Sequence, residues 1–315
     1  MTPITLLCPG QGAQFVGMGS AWCEGSPEAR RIFEEADRVL KDRLGQAIGT
    51  LCFEGPADRL NQTDAAQPAI FVTSVACAHG LAAAWGVSVD ELPLAATAGL
   101  SLGEYTALHL AGAMRFDDAL ELVTLRGRAM QDAAEAERSG MVALIGATED
   151  QARALCEACA QGEVLVPANF NAPGQIVISG HIDACQRAAD RAGEFGCRAT
   201  PLPVAGAFHS PLMQPAADRL AEALAKTDLR APRCPVYSNV TAAPHEPNPD
   251  SIREKLIRQL TDPVRWADSG AAMQAAGLFT EPNQAHELAP GKTLAGLARR
   301  LDRALQIQTH DEPTP

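Results

Sequence analysis

Ser101, in the stretch TAGLSLGEYTALHLAGAM, has the sequence setting of a nucleophile. Gly99, Ser101 and Gly103 fit the pattern G-x-S-x-G, in which a serine occupies a sharp turn between a strand and a helix. Such a turn directs the hydroxyl outward at a helix N-terminus, where developing negative charge is favoured. The backbone N–H of Leu102 is then a natural donor to an oxyanion. This stretch alone is equally compatible with a serine that only caps a helix.

A serine nucleophile needs a base, and His209 is the best placed of the seven histidines. It lies in VAGAFHSPLM, where a loop of small residues ends and a helix is predicted to begin. The other histidines fall on apolar helix patterns, at a helix cap, in a Pro-rich loop, in a strand-like run and in the tail: His79, His109, His181, His245, His286 and His310. No acidic residue stands out as the third member of a Ser-acid-His triad.

Arg126 is the third candidate, on the largely apolar face of a predicted helix 25 residues after the serine. An arginine there must form an ion pair, extend its guanidinium to solvent along its aliphatic stem, or bind an anionic ligand. From the residues alone a structural ion pair is favoured. Arg128, two residues on, is expected to point elsewhere and to be exposed.

Strand and helix patterns surround these candidates. Residues 4–8 and 92–99 are predicted strands, while residues 27–41, 67–85 and 116–134 have helical periodicity. The serine motif therefore lies between a strand and a helix, as its chemistry requires.

The middle of the chain has a different order of elements. Strand 140–147, a helix to about 159, the strands VLVPANF and QIVISG, helix 182–195 and strand 199–204 follow one another. This β-α-β-β-α-β order is the ferredoxin-like unit. Helices and short strands then alternate up to a helix at 291–305, and the tail HDEPTP is predicted to be disordered.

Composition limits the function classes. The chain has 315 residues, 46% hydrophobic and 20% charged, which suits one large domain or two smaller ones. A net charge of −12 argues against a general binder of nucleic acid or of anionic membranes. No stretch of about 20 residues reads as apolar enough to span a bilayer.

The nine cysteines are odd in number and scattered, which predicts reduced thiols and a cytoplasmic protein. The N-terminus lacks the basic and apolar regions of a signal peptide. Cys156 and Cys159 form C-x-x-C without a second pair, so we interpret them as cysteines on a helix face and expect no metal site.

Five stretches together resemble malonyl-CoA:acyl carrier protein transacylases and the acyltransferase domains of fatty-acid and polyketide synthases. They are CPGQGAQFVGMG, GLSLGEYTAL, LVTLRGRAMQ, NFNAPGQIVISG and AFHSPLM, in the family's order. The resemblance implies an α/β fold with an α/β-hydrolase-like large subdomain (1–138 and 204–308), an inserted ferredoxin-like small subdomain (139–203) and a disordered tail (309–315).

The implied reaction is a ping-pong transfer without a cofactor. Ser101 takes malonyl from malonyl-CoA as an ester, and the phosphopantetheine thiol of acyl carrier protein collects it. The resemblance makes His209 the general base, oriented by a backbone carbonyl, which accounts for the missing acid. Gln259 matches a position near that histidine, and Gln11 matches a second oxyanion donor beside Leu102. The partners implied are malonyl-CoA and carrier protein, and we expect a monomer.

Substrate-binding roles also follow from the resemblance. Arg126 becomes the fork that binds the free carboxylate of malonyl. Phe208 matches a position where a bulky residue accompanies malonyl, and Gln67 and Asn171 match positions lining the cleft, where each could equally hold backbone. Leu100 departs from the family, which usually has histidine before the nucleophile, and this leaves fine acyl choice open.

Three alternatives remain at the sequence level. A nucleotide-binding loop at PGQGAQ lacks G-K-[ST] and has Phe15 in place of a third glycine. A hydrolase of acyl carrier proteins would share the fold but tends to lack the carboxylate-binding arginine. A non-catalytic docking module would not need Ser101, His209 and Arg126 together. Because carrier protein is acidic, docking needs a basic rim, with candidates at Arg191, Arg198, Lys292, Arg299 and Arg300.

Overall fold

Two sheets organise the chain in the computed structural model, which describes residues 2–280 and 284–313. One is a five-stranded parallel sheet of order β7-β2-β1-β8-β9, and the other is a four-stranded antiparallel sheet of order β4-β5-β3-β6. The strands are β1 Ile4–Cys8, β2 Leu94–Gly99, β3 Ser139–Ile145, β4 Leu165–Ala172, β5 Gln175–His181, β6 Arg198–Pro201, β7 Val236–Tyr237, β8 Gln284–Leu288 and β9 Ile307–His310.

Helices separate most of these strands. Within the described residues they are α1 Ser20–Gly25, α2 Pro27–Leu40, α3 Ile48–Glu54, α4 Ala57–Leu60, α5 Thr63–Ala84, α6 Leu102–Leu110, α7 Phe116–Ala136, α8 Glu149–Ala160, α9 Ile182–Arg191, α10 Gln214–Leu224, α11 Pro249–Arg258, α12 Trp266–Ala275 and α13 Thr293–Leu301.

The parallel sheet carries the serine motif at its carboxyl edge. β1 is central, with β2 on one side and β8 on the other, and its register pairs Cys8 with Gly99. β2 ends at Gly99 and α6 begins at Leu102. The predicted strand–turn–helix around Ser101 is thus confirmed.

The antiparallel sheet confirms the ferredoxin-like insertion. Its elements follow the order β3-α8-β4-β5-α9-β6 and lie between Ser139 and Pro201. It is tied to the larger body where the Phe170 N–H donates to the Val264 carbonyl at 2.8 Å and the Val264 N–H donates to the Ala168 carbonyl at 2.8 Å. The exact limits 1–138, 139–203 and 204–308 stay a prediction.

Helix α5 corrects one expectation. By length and composition Thr63–Ala84 could cross a membrane. The expectation that no stretch is apolar enough to span a bilayer is therefore wrong. However, 94% of its most apolar window is buried inside the protein. It is therefore a core helix, packed mainly against α7 and α2.

The C-terminal segment is another correction. Instead of a disordered tail from 309, Thr309 and His310 complete strand β9 beside β8. His310 is buried and stacks on His286 with ring centroids 5.1 Å apart, and its carbonyl accepts from Trp22 Nε1 at 2.9 Å. Residues 314–315 of the predicted tail lie outside the described residues.

Two glycines let α6 pack directly against the sheet. A Cβ on Gly103 would lie 2.1 Å from the Cys8 carbonyl oxygen, and one on Gly99 would lie 1.9 Å from the Gly103 carbonyl carbon. Neither position has room for a methyl group, because the obstructing atoms are backbone. Gly103 is therefore required by close approach of the helix to β1, and Gly99 by close approach of the helix to β2.

We expect Gly103→Ala to lower the free energy of unfolding by about 1–3 kcal/mol, the usual cost of overpacking a core. Chemical denaturation monitored by circular dichroism measures this change. Gly296→Ala in α13 is the matched control, because nothing lies within 4 Å of its Cβ and a helix-interior alanine gains roughly 0.5–1 kcal/mol. Equal effects of the two substitutions would contradict the close-approach argument.

Candidate active site

Ser101 lies at the elbow between β2 and α6 with φ 52° and ψ −103°. This backbone conformation is costly for a residue with a Cβ and persists only where the surroundings enforce it. Asn239, just after β7, supplies the enforcement: its Oδ1 accepts from the Ser101 N–H at 2.5 Å and its Nδ2 donates to the Gly99 carbonyl at 2.7 Å. The elbow is thus held by a residue from the neighbouring strand.

His209 lies within hydrogen-bond distance of the serine. Its Nε2 is 2.8 Å from Ser101 Oγ, and its Nδ1 is 2.7 Å from the backbone carbonyl oxygen of Gln259. Because a carbonyl only accepts, Nδ1 carries the proton and Nε2 is free to accept from the hydroxyl. This is the tautomer that a general base for serine needs.

The surroundings of His209 keep it neutral. Burial lowers its pKa to about 4, and the nearby charge of Arg126 acts in the same direction. The hydrogen bond to the Gln259 carbonyl opposes both but is weaker. The imidazole therefore stays available to take a proton across the neutral pH range.

Arg126 is a buried cation surrounded by neutral acceptors. Its side chain is 1% exposed, and Nη1 donates to Gln67 Oε1 at 2.7 Å. Nη2 donates to Ser101 Oγ at 2.9 Å and to Gln259 Oε1 at 3.0 Å. The guanidinium also lies over the ring of Tyr105, 5.3 Å from its centroid.

No carboxylate within residues 2–280 and 284–313 forms an ion pair with Arg126. The structural ion pair favoured by the residues alone is therefore not found there. Burial lowers the pKa of the guanidinium, since a charge removed from water without an anion is unfavourable. Arg128, in contrast, is exposed and pairs with Asp132 at 2.8 Å, as expected of the outer face.

The two predicted oxyanion donors lie on adjoining backbone segments. Gly10 packs so closely on Leu100 that a Cβ there would lie 2.3 Å from the Leu100 carbonyl oxygen. The Gln11 side chain donates to Thr63 Oγ1 at 3.2 Å. Across the described part of the chain, the backbone N–H groups of Gln11 and Leu102 donate to no backbone carbonyl. Both amides are therefore available at the edge of the elbow.

The remaining predicted site residues are placed unevenly. Gln67 contacts Arg126, and Phe208 is buried beside His209 in the main core. Asn171 lines a crevice with Leu7 and Trp266, and its place in the substrate cleft stays a prediction. No described hydrogen bond joins it to Ser101, His209 or Arg126.

The acyl transferase domain family matches residues 5–299 of the chain. The chain belongs to the acyl transferase family. This confirms the resemblance indicated by the five motifs, and the strand order of the parallel sheet agrees with it.

Relatives of this acyl transferase are similar over nearly their whole length. The malonyl CoA-acyl carrier protein transacylase of Escherichia coli K12 is 41% identical over 315 residues, covering 100% of this chain and 97% of the relative. The enzyme of the same name from Bacillus subtilis is also 41% identical, covering 99% and 95%. The crystal structure of an acyl carrier protein S-malonyltransferase from Vibrio cholerae superposes with a TM-score of 0.90 at 40% identity, covering 99% and 98%.

The structure of the acyl transferase adds three polar residues that the sequence did not indicate. Asn239 holds the elbow, and the buried carboxylate of Glu104 contacts both Gln259 and His245. Glu104 is visible in GLSLGEY, but its partners follow more than 130 residues later. Only the fold brings them together.

We expect the rate at which a fluorophosphonate labels Ser101 to stay flat from pH 9 to 6 and to fall only as the pH approaches about 4, where His209 becomes protonated. Arg126→Gln should move this midpoint upward, since the charge of Arg126 lowers the pKa of His209. Arg128→Gln, on the exposed face of the same helix, should leave the midpoint unchanged. A wild-type midpoint near 6.5 would contradict the assignment of a buried neutral base.

Proposed function

We propose that this chain transfers the malonyl group of malonyl-CoA to the phosphopantetheine thiol of acyl carrier protein through an ester on Ser101. The names of the relatives support the substrates. The observation that carries the proposal is the 2.9 Å contact between Arg126 Nη2 and Ser101 Oγ. A buried cation this close to the nucleophile suits an acyl group whose second carboxylate lies one carbon from the reacting carbonyl, as in malonyl.

The first half-reaction forms the ester. Ser101 Oγ attacks the thioester carbonyl and gives its proton to His209 Nε2. The N–H groups of Gln11 and Leu102 receive the oxyanion. The carbon–sulfur bond then breaks, and His209 returns the proton to the departing CoA thiolate.

The second half-reaction is the same chemistry in reverse. His209 takes the proton of the phosphopantetheine thiol, whose sulfur attacks the malonyl ester. The proton then passes to Ser101 Oγ as the serine leaves. The product supplies malonyl units for fatty-acid or polyketide synthesis.

Arg126 selects the acyl group. When malonyl binds, its carboxylate replaces neutral acceptors of the fork with a bidentate charged pair. A monocarboxylic acyl group leaves the guanidinium without an anion in a closed site, a penalty of about 1–3 kcal/mol or more. Gln67 fixes the far nitrogen of the fork, and buried Phe208 supports an unbranched acyl chain. Asn171 has no role in this proposal.

A cytoplasmic location is part of the proposal. All nine cysteines are free, and eight of them are buried. Free thiols in this number suit a reducing compartment.

Intact mass after brief exposure to malonyl-CoA tests the proposal. We expect a malonyl adduct on the wild type and none on Ser101→Ala. Arg126→Ala should acylate at least about 10- to 100-fold more slowly, because the substrate carboxylate and its cation would no longer pair. Arg128→Ala is the control and should match the wild type.

An adduct of equal yield on Arg126→Ala would overturn the role of this residue. Free malonate without transfer to added carrier protein would indicate the hydrolase instead.

A basic rim for the carrier protein gives a second test. Arg191 is paired with Glu194 at 2.9 Å, whereas Arg299 and Arg300 form no ion pair among the described residues and line an open crevice of about 670 Å³. Arg299→Glu and Arg300→Glu should each raise the KM for carrier protein by about 2- to 5-fold. Acylation by malonyl-CoA should not change. Arg191→Glu, at the candidate whose charge is already paired with Glu194, should leave this KM unchanged and serves as the comparison. If charge reversal at Arg299 and at Arg300 leaves the KM for carrier protein unchanged, docking at this rim is ruled out.

A further inference from the structure

Glu104 is a buried carboxylate one helical turn after Ser101 that the proposed reaction does not use. Its side chain and that of His245 are both 0% exposed, with Oε1 2.7 Å from His245 Nε2. Its other oxygen, Oε2, accepts from Gln259 Nε2 at 2.6 Å and from the Asn239 N–H at 3.1 Å. A buried carboxylate with this many donors is satisfied, and its position is fixed by two separate segments, the turn after β7 and the end of α11.

The carboxylate determines which way the Gln259 amide points. A carboxylate only accepts hydrogen bonds and a guanidinium only donates them. Gln259 lies between the two, so its Nε2 must face Glu104 and its Oε1 must face Arg126. The distances agree, since Nε2 also donates to the Ser101 carbonyl at 2.9 Å while Oε1 accepts from Arg126 Nη2 at 3.0 Å. The opposite orientation would place like partial charges against each other at both ends.

Through Gln259, Glu104 acts on the base as well as on the fork. The backbone carbonyl of Gln259 is the acceptor for His209 Nδ1. Through Asn239, Glu104 acts on the nucleophile, because Asn239 Oδ1 holds the strained Ser101 N–H. Both residues that orient the reacting groups are thus anchored to one carboxylate.

The same arrangement keeps Arg126 available. Glu104 provides negative charge near the buried cation, but its oxygens are occupied by His245, Gln259 and Asn239. It therefore forms no direct pair with the guanidinium. A direct pair would satisfy the fork permanently and leave no site for a substrate carboxylate.

We propose that Glu104, held by His245, is a positioning residue that fixes the Gln259 amide, and through it the alignment of His209 and the open state of the Arg126 fork. The proposal rests on the proposed function for its substrate. Its claim about His209 is independent of which acyl group is transferred.

Glu104→Gln tests the proposal because it keeps the shape but removes the obligatory acceptor. We expect the single-turnover rate of acylation by malonyl-CoA to fall by about 10- to 100-fold. The preference for malonyl-CoA over acetyl-CoA should fall by about 10-fold, because the fork is no longer held open. Glu287→Gln is the matched control. Glu287 is equally buried, but among the described residues it accepts only from the Leu294 and Ala295 N–H groups at the start of α13, so its substitution should change neither quantity.

A double-mutant cycle separates positioning from general destabilisation. If Glu104 acts through Gln259, adding Glu104→Gln to Gln259→Ala should slow acylation by less than about 3-fold further. A full, independent effect in that background would overturn the proposal. The proposal would also be overturned if Glu104→Gln alone kept the wild-type acylation rate and the wild-type preference for malonyl-CoA over acetyl-CoA.

Labelling of Ser101 by a fluorophosphonate is the readout that needs no acyl donor. We expect Glu104→Gln to slow it by about 10-fold, and an unchanged rate would overturn the effect on His209. Failure of the wild type to form a malonyl ester would instead overturn the proposed function. Unfolding midpoints of Glu104→Gln and Glu287→Gln, measured together, should confirm that both variants are folded.

Discussion

Arg126 is a full positive charge enclosed by protein, and within the described part of the chain only amide and hydroxyl oxygens receive its hydrogen bonds. Such burial is unfavourable unless an anion completes the site. In the proposed reaction the free carboxylate of the acyl group supplies that anion, so we expect the free enzyme to favour a ligand that is itself charged. Burial lowers the pKa of His209 and the charge of Arg126 lowers it further. The proposed substrate selection, and the need to keep the Glu104 carboxylate from pairing with the guanidinium, also follow from this cation.

The second constraint is the close approach of three backbone segments at the carboxyl edge of the parallel sheet. The loop after β1 packs on the turn after β2, and Asn239, after β7, ties that turn down. Open α/β sheets bind ligands at this edge because the loops of adjacent parallel strands meet there. The strain at Ser101 is thus sustained by its neighbours, and the hydroxyl has one fixed direction.

Much of this was predictable from local signals. The serine elbow and the ferredoxin-like unit come from spacing and periodicity within short windows. The proposed role of Arg126 comes from the family resemblance, because the residues alone favour a structural ion pair. Glu104 and His245 could not be paired in this way, because 141 residues separate them in the chain. Strand β9 was missed because four residues with buried ends and exposed centre carry too short a pattern to distinguish a strand from a tail.

The order of the strands has a consequence for how the polypeptide emerges during translation. Sheet pairing inside the insertion is complete once Pro201 has been made, because all its partners are local in sequence. The host sheet must wait, since β1 gains its second neighbour only when Gln284–Leu288 is synthesised. Such distant pairing is entropically slow to form. The ferredoxin-like insertion is therefore able to fold on the ribosome while the parallel sheet still lacks strand β8.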